Sequence, residues 1–231
     1  MYGNMFGGII IMKKQTIILA SRSSRRRNLL MGAGYRFRIE ISEADEDTDL
    51  TDPVEYVEEL SHRKVRAVAV HFLDEDAMDV VVDEDEITKH QMGIESDEYL
   101  YIVGADTVVI LDDQILGKPK NEEDAAKMLR LLSGKQHEVY TGVTIDKIRG
   151  GVCTEQKIFS EHTSVKMREM TDEEIDWYVK SGEPMDKAGS YAIQGKAAKF
   201  IESIDGDFYN VVGLPICRVS EELAKMGAEI D

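Results

Sequence analysis

The stretch from Thr16 to Gly34, TIILASRSSRRRNLLMGAG, carries the first signals of both fold and chemistry. Its apolar, β-branched start, Thr16 to Ala20, predicts a buried strand. A turn rich in hydroxyls and arginines follows, and the chain then continues as a short helix that we expect to stop at Gly32 or Gly34. Free backbone N–H groups and the positive end of the helix dipole favour an anion at such a turn.

Two arginines, Arg25 and Arg26, lie in the first turn of this predicted helix. Cationic side chains destabilise a helix at that end, because the dipole is positive there. Guanidinium groups bind phosphate in a forked geometry, so we interpret both arginines, with Ser21 from the same turn, as phosphate ligands. The alternative is a solvated basic turn that binds nothing.

The composition indicates a globular protein with a sizeable core. The chain has 231 residues, of which 42% are hydrophobic, and no apolar run is long enough to span a membrane. Cys153 and Cys217 have no metal-ligand spacing and predict neither a zinc site nor a disulfide framework. An apolar patch precedes Lys13 and Lys14, which is the wrong order for a signal peptide, so we expect a cytoplasmic protein with an N-terminal extension at residues 1–12.

The formal net charge of −17 is unevenly distributed. Residues 74–98 contain eleven acidic residues and one lysine, a charge of −10 in 25 residues. Such a concentration is typical of a solvated insertion. The overall sign argues against a nucleic-acid duplex as partner, and an anionic substrate would need a local basic pocket.

Two segments after the basic turn have clear periodicity. Residues Arg36 to Ser42 alternate in polarity and predict a half-buried strand with Phe37, Ile39 and Ile41 on its inner face. Asp52 then caps a predicted helix that reaches about His71. The capping residues of two further predicted helices are Asn121 and Thr171.

The second half of the chain mixes strands, hairpins and an aperiodic segment. Tyr99 to Val103 predicts a strand that places Asp106 at its end, and Thr107 to Leu111 is predicted to continue extended. A hairpin is predicted about Arg149 to Gly151. Glu183 to Lys199 shows little periodicity and predicts a long loop, a length that is uncommon without a function. This order predicts one mixed α/β fold in a single domain over residues 1–231, with residues 74–98 as an acidic insertion.

Several side chains could carry chemistry, although each has an ordinary structural explanation. Asp106 could hold a metal or polarise a water, or it could cap a turn. Lys64 and Lys118 could bind phosphate or be surface lysines, and Asp45 and Glu46 could be a solvated acidic loop. Together, cations and carboxylates at strand ends are what hydrolysis of a polyphosphate requires.

The order of motifs resembles the Maf family of nucleotide pyrophosphatases. The matching segments are LASRSSRRR, SEADED, ELSHRKVRAVA, VGADTVV, ILGKPKNEEDAAKMLRLLSGKQHEVYTGV, EIDWYVKSGEPMDKAGSYAIQG and DFYNVVGLP. The resemblance implies the Maf/Ham1-like α/β fold, a long mixed twisted sheet flanked by helices, with a cleft between two lobes. It also implies a nucleoside triphosphate diphosphatase that releases a monophosphate and pyrophosphate.

The resemblance assigns roles to individual residues. Asp106 matches the catalytic base, and Asp45 matches an acidic site residue. The matched phosphate-binding residues are Arg25, Lys64 and Lys118. A divalent cation, Mg²⁺ or Mn²⁺, would be held by phosphate oxygens with Asp106 and with Asp45 or Glu46.

Base choice in the family is linked to three positions, which here are Arg25, Thr107 and Gln194. Threonine and glutamine at the last two resemble the dTTP/UTP branch rather than the 7-methyl-GTP branch, with nucleotide-pool house-cleaning as the implied role. The chain departs from the usual pattern in having Ser24 in place of proline and Ala192 in place of a frequent glycine. The acidic insertion is also longer than usual.

Other functions remain open at this point. The second enzymatic hypothesis is a 7-methyl-GTP pyrophosphatase, and the non-enzymatic one is a nucleotide-binding regulator of cell division at the septum, which would bind without turnover. A single-strand nucleic-acid binder is disfavoured by the negative charge and by the lack of clustered aromatics. The expected partner is a nucleoside triphosphate, with no nucleic acid and no membrane, and a homodimer is the candidate assembly.

Overall fold

The computed structural model describes residues 15–74, Val81 and residues 98–229. The predicted extension at residues 1–12 lies outside the described residues, as does almost all of the acidic insertion at 74–98. The described strands are β1 (Gln15–Ala20), β2 (Phe37–Glu40), β3 (Tyr99–Leu111), β4 (Gln114–Leu116), β5 (Gln136–Arg149), β6 (Val152–Met167) and β7 (Ile201–Gly206).

Helices surround these strands. They are α1 (Ser24–Gly32), α2 (Pro53–Ala69), α3 (Glu122–Leu132), α4 (Asp172–Val179), α5 (Phe208–Val212) and α6 (Ile216–Lys225). The predicted caps are confirmed: Asp52 accepts the N–H of Val54 at 2.9 Å, and Thr171 forms a reciprocal capping box with Glu174. No helix among the described residues is both long and apolar enough to cross a bilayer.

The strands form one seven-stranded sheet in the order β2-β1-β3-β5-β6-β7, with β4 beside β3. The pairs β1–β2 and β1–β3 are parallel, and the other pairs are antiparallel. The mixed α/β sheet that the sequence predicts, flanked by helices, is therefore confirmed.

One edge of β3 is paired with other strands along only part of its length, and the candidate site lies at the unpaired part. β1 pairs with β3 only as far as Val103, and β4 pairs with β3 only from Val109 onward. On the other edge β5 pairs continuously from Tyr99 to Ile110. Among the described residues, no strand therefore pairs with the edge of β3 between β1 and β4, over residues 104–108.

The extent of this pairing corrects the prediction that Asp106 lies at a strand end. Asp106 lies in the middle of β3, which continues for five residues beyond it to Leu111. The strand continues because its antiparallel partner β5 continues, although its parallel partner β1 has already ended. Since β1 does end there, the middle of β3 is as open to a ligand as a strand end would be.

Two glycines let α2 lie directly on this part of the sheet. A Cβ atom at Gly104 would lie 2.7 Å from the Val65 Cγ2 atom, and one at Gly142 would lie 2.3 Å from the backbone carbonyl carbon of Val57. No larger residue fits at either position without a shift of the helix. This close approach brings Lys64 of α2 to the middle of β3.

Two predicted segments differ from the structure. Phe37 packs against the core as predicted, but Ile39 and Ile41 are 44% and 53% exposed, so their predicted burial is wrong. They lie at or beyond the end of the edge strand β2, of which only Phe37–Glu40 pair with β1. The predicted loop over residues 183–199 forms three 3₁₀ helices, at Glu183–Asp186, Ala188–Ser190 and Lys196–Phe200. The segment between them is ordered by burial, with Tyr191 and Ile193 in the core.

Candidate active site

A cleft of about 710 Å³ opens at the unpaired part of the edge of β3. Nine of the ten predicted site residues line it: Ser21, Arg25, Arg26, Glu46, Lys64, Asp106, Thr107, Lys118 and Gln194. They come from the β1–α1 turn, the loop after β2, α2, β3, the segment after β4 and the 3₁₀ segment. Residues far apart in the sequence are thus brought to one surface.

Asp45 is the predicted site residue that is not among those lining the cleft. Its side chain is exposed, and its carboxylate accepts the N–H of Asp47 at 2.9 Å. The backbone carbonyl of Asp45 accepts a hydrogen bond from Arg63 at 3.4 Å. Glu46, the next residue, supplies the carboxylate of this loop that faces the cleft.

The β1–α1 turn is shaped by its own hydroxyl groups. The Ser21 Oγ atom accepts the N–H of Ser23 at 3.1 Å, and the Ser23 side chain caps α1 by accepting the N–H of Arg26 at 3.4 Å. Ser24 begins the helix, so the turn forms without the proline that is usual at this position.

Arg26 lines the cleft with its guanidinium bonded to neighbouring protein oxygens. Its Nε atom donates to the carbonyl of Gly213 at 2.7 Å, and its Nη2 atom donates to the Thr107 Oγ1 atom at 3.0 Å. Burial lowers the pKa of the Arg26 guanidinium, and the nearby charge of Asp106 opposes that change. Arg26 therefore places a fixed positive charge beside the middle of β3.

Lys64 joins two carboxylates at the centre of the cleft. Its Nζ atom lies 2.5 Å from the Asp106 Oδ1 atom and 2.9 Å from the Glu46 Oε1 atom, and Lys118 lies 3.9 Å from the second oxygen of Glu46. Burial works to raise the pKa of Glu46, but its hydrogen bond to Lys64 and the nearby positive charges outweigh this, and the pKa is lowered. Glu46 is therefore ionised at neutral pH.

On the other face of β3, Thr107 begins a chain of hydrogen bonds that sequence reasoning missed. The Thr107 and Thr141 hydroxyl oxygens are 2.9 Å apart, and Thr141 donates to the backbone carbonyl of Asn210 at 3.0 Å. Thr141 and Asn210 are both fully buried. A lone threonine within a strand has no sequence signal for such a role, and only the register Thr107↔Thr141 reveals it.

A third group of charges lies at the 3₁₀ segment. Asp186 contacts both Arg25, at 3.4 Å between Oδ2 and Nη1, and Lys187. Burial works to raise the pKa of Asp186, but Lys187 and Arg25 lower it overall. The segment that the sequence predicts as a loop thus supplies the counter-ion of a predicted phosphate ligand.

The cleft is locally positive in a strongly negative protein. Six cationic side chains line it among the described residues: Arg22, Arg25, Arg26, Lys64, Lys118 and Lys187. Four carboxylates line it as well: Glu43, Glu46, Asp106 and Asp186. The excess of two positive charges contrasts with the formal charge of −17 for the whole chain, and it provides the basic pocket that an anionic substrate needs.

The donor set suits a hard divalent cation that arrives with a phosphate. Asp106 and Glu46 offer carboxylate oxygens beside the same ammonium group of Lys64. Within the described part of the chain, no group of three or more His, Cys, Asp or Glu residues is arranged to hold a metal by itself. One or two carboxylates completed by substrate oxygens is the usual arrangement for Mg²⁺.

Comparisons with known proteins agree with this geometry. The sequence profile of the family described as Maf-like protein matches residues 16–226. A dTTP/UTP pyrophosphatase of Agathobacter rectalis is 45% identical over 216 residues, covering 93% of this chain and 98% of the relative. The enzyme of that name from Geobacillus sp. WCH70 is 44% identical over 212 residues, covering 91% and 98%, and that from Symbiobacterium thermophilum is 41% identical over 217 residues, covering 94% and 96%. The chain therefore belongs to the Maf family.

Proposed function

We propose that this protein is a nucleoside triphosphate pyrophosphatase that hydrolyses dTTP and UTP to the monophosphate and pyrophosphate. The observation that carries the proposal is the convergence of Arg26, Lys64, Lys118 and Asp106 on one cleft from four separate segments. Relatives at 41–45% identity with nearly full coverage bear the name dTTP/UTP pyrophosphatase, which supports the same substrates. The cellular role would be the removal of unwanted nucleotides.

The triphosphate lies over the β1–α1 turn in this proposal. Arg25, Lys64 and Lys118 contact the phosphate oxygens, while Arg26 contributes its charge. Arg25, Lys64 and Lys118 each lie near a carboxylate in the structure. When phosphate binds, its oxygens would replace these carboxylates as the partners of the three cations. Such pre-positioned cations stabilise the charge that develops when pyrophosphate leaves.

Asp106 acts on the water. Its carboxylate orients a water molecule in line with the α-phosphorus and accepts a proton as the water oxygen attacks. The bond between the α-phosphorus and its bridging oxygen breaks, and pyrophosphate leaves with the bonding electron pair. The Lys64 ammonium group, 2.5 Å from the Asp106 Oδ1 atom, fixes the position of this carboxylate.

Asp106 and Glu46 would hold the divalent cation, Mg²⁺ or Mn²⁺, together with phosphate oxygens. When bound, the cation would neutralise phosphate charge and act as a Lewis acid. Asp45 stays a predicted further ligand, and its carboxylate would first have to leave the N–H of Asp47. The proposed homodimer and the cytoplasmic location likewise stay predictions.

The test replaces Asp106 by asparagine. With Mg²⁺ and dTTP or UTP, we expect Asp106→Asn to lower kcat by about a thousandfold, since the base is lost while the shape is kept. Asp113→Asn, at the turn after the same strand, is the matched control and is expected to keep wild-type turnover. Near wild-type release of pyrophosphate by Asp106→Asn would remove Asp106 from the mechanism.

A substrate panel separates the remaining functions. Preference for dTTP and UTP supports the proposal, whereas preference for 7-methyl-GTP would move the chain to the other enzymatic branch. Nucleotide binding without turnover by the wild type would favour a regulatory role. Thr107 and Gln194, which line the cleft, are the residues we propose to contact the base.

A further inference from the structure

A hydrogen-bond chain runs from Arg26 at the cleft to Asn210. The Arg26 Nη2 atom donates to the Thr107 Oγ1 atom at 3.0 Å, and that oxygen lies 2.9 Å from the Thr141 hydroxyl. Thr141 in turn lies 3.0 Å from the backbone carbonyl oxygen of Asn210. Thr107 faces the cleft, whereas Thr141 and Asn210 are fully buried.

The groups at the two ends of this hydrogen-bond chain determine which atom is the donor in each of its bonds. A guanidinium only donates and a carbonyl only accepts. Thr141 must therefore place its single proton on the carbonyl of Asn210, since otherwise two acceptors would face each other at 3.0 Å. The Thr141 oxygen is then free to accept, so the hydroxyl that donates between the two threonines is that of Thr107.

Thr107 is left with one hydrogen-bonding capacity. A threonine hydroxyl has one proton and two lone pairs. Its proton points to Thr141 and one lone pair accepts from Arg26, so one lone pair remains for a ligand in the cleft. Thr107 can therefore accept a hydrogen bond from a ligand and cannot donate one.

The acceptor end of the chain is firmly held. The Asn210 side-chain amide donates to the carbonyl of Val139 and to the Thr163 hydroxyl oxygen, both at 3.0 Å. The Asn210 carbonyl also accepts the N–H of Gly213 at 3.0 Å. These bonds hold α5 against β5 and β6, so the carbonyl oxygen that accepts the Thr141 proton is fixed in place.

We propose that Thr141 and Asn210 are positioning residues that hold Thr107 as an obligate acceptor, and that this polarity makes the enzyme prefer bases with an imide N–H over cytosine. The proposal rests on the proposed function, in which Thr107 contacts a pyrimidine. The proposed contact is between Thr107 and N3 of the base, where uracil and thymine carry a proton that they can donate to Thr107. Cytosine has a lone pair on N3, which would face the lone pair of Thr107. Rejection by an unpaired polar group is stronger than rejection by size alone.

The test changes the acceptor without touching the cleft. Thr141→Val keeps the shape of the side chain and removes the oxygen that receives the Thr107 proton. The Thr107 hydroxyl can then turn and donate to N3 of cytosine. We expect the ratio of kcat/KM for UTP to that for CTP to fall about tenfold relative to wild type, the size of one exchanged hydrogen bond. Thr141→Ser, which restores a hydroxyl, is expected to restore the ratio.

Thr144→Val is the matched control. Thr144 is also fully buried on β5, and its hydroxyl contacts Ser61 of α2 at 2.9 Å, away from the Thr107 chain. This variant is expected to lose stability but keep the wild-type UTP/CTP ratio. Thermal melting of all three variants separates loss of folding from change of preference.

The outcomes distinguish the two proposals. A wild-type protein that releases no pyrophosphate from any nucleotide would overturn the proposed function. A wild-type protein that hydrolyses UTP, together with a folded Thr141→Val variant whose UTP/CTP ratio is unchanged, would overturn only the role of Thr141. A change of ratio in Thr144→Val as large as that in Thr141→Val would also overturn it.

Discussion

Asp106 and Thr107 are neighbours on β3 but belong to two different environments. Asp106 faces α2 and a network of charges with Lys64 and Glu46. Thr107 faces the opposite side of the sheet and a chain of neutral hydrogen bonds through Thr141, with Arg26 as its only charged member. Successive side chains of a strand point to opposite faces, so a single peptide step separates the two.

The difference between these faces matches the two tasks of the proposed enzyme. Charge acts over distance and tolerates small shifts, which suits the binding of phosphate. Neutral hydrogen bonds require a set direction, which suits the reading of a base. Both faces are open to one ligand because β1 ends at Ala20 and no described strand pairs with this edge of β3 over residues 104–108. The following predictions test whether the two faces act separately.

The largest loss of activity is expected on the charged face of β3, the side on which Asp106 contacts Lys64. Lys64→Met removes the ammonium group between Asp106 and Glu46 and leaves two carboxylates facing each other across the cleft. We expect kcat/KM for dTTP to fall at least about a hundredfold, with little change in the UTP/CTP ratio. Steady-state release of pyrophosphate measures both.

Lys166→Met is the control for that variant. Lys166 is a partly exposed lysine that pairs with Glu202 at 2.9 Å on the surface and does not line the cleft. It is expected to keep full activity. A Lys64→Met enzyme that keeps its rate but changes its base preference would contradict the division between the two faces.

The second effect concerns pH and the neutral face. His137 lies on β5 on the same face as Thr141; it is only 2% exposed, and its Nε2 atom lies 2.8 Å from the Tyr191 hydroxyl oxygen. Burial lowers the pKa of His137 from 6.5 to about 4. Between these values the unfolded chain binds a proton that the folded protein does not. The free energy of unfolding should therefore fall by about 3 kcal/mol as the pH drops through this range.

Equilibrium unfolding of wild type and His137→Gln over that range measures this contribution. The variant is expected to lose less stability than wild type as the pH falls, whatever its stability at neutral pH. His162→Gln removes a half-exposed histidine on β6 and serves as the control. Equal pH slopes for wild type and His137→Gln would show that His137 is not kept neutral by the fold.

Much of this arrangement could be predicted from the sequence, because many of its signals are local. The caps at Asp52 and Thr171 and the turn between β1 and α1 depend on neighbouring residues, and all three form as expected. Extended segments were predicted on both sides of Asp106, but that they form one strand through it could not be predicted, since this depends on pairing with β5, where Gly142 is the partner of Asp106.

The neutral face of β3, with the hydrogen bonds from Thr107 through Thr141 to Asn210, was the hardest part of the site to predict from the sequence. Thr141 and Asn210 belong to β5 and α5, which are remote in sequence from Thr107. Neither residue type signals a site, because a threonine in a strand and an asparagine near a helix are ordinary in those places. Ile39 shows a different limit of prediction from sequence. The alternating pattern around it correctly predicts a strand, but it does not show that this strand lies at the edge of the sheet, where Ile39 is exposed.

A smaller effect is expected from Arg26, which joins the two faces. A lysine at this position cannot donate to both the Gly213 carbonyl and Thr107, because it lacks the planar fork of a guanidinium. We expect Arg26→Lys to lower kcat/KM for UTP about tenfold and also to lower the melting temperature. Arg27→Lys, on the exposed side of α1, should change neither. An Arg26→Lys enzyme that loses stability alone would limit Arg26 to a structural role.

The smallest effect is expected from Arg22, at the rim of the cleft. It is exposed, and it is the cleft-lining cation for which the described residues provide no hydrogen-bond or ion-pair partner. Its charge therefore acts on an incoming triphosphate over a distance, and such attraction is screened by salt. We expect Arg22→Ala to raise KM for dTTP about threefold at low ionic strength with kcat unchanged, and to match wild type near 0.5 M salt. Arg27→Ala changes the total charge by the same amount but lies outside the cleft. If it raised KM equally, the relevant quantity would be the overall charge of the protein rather than the charge at the rim.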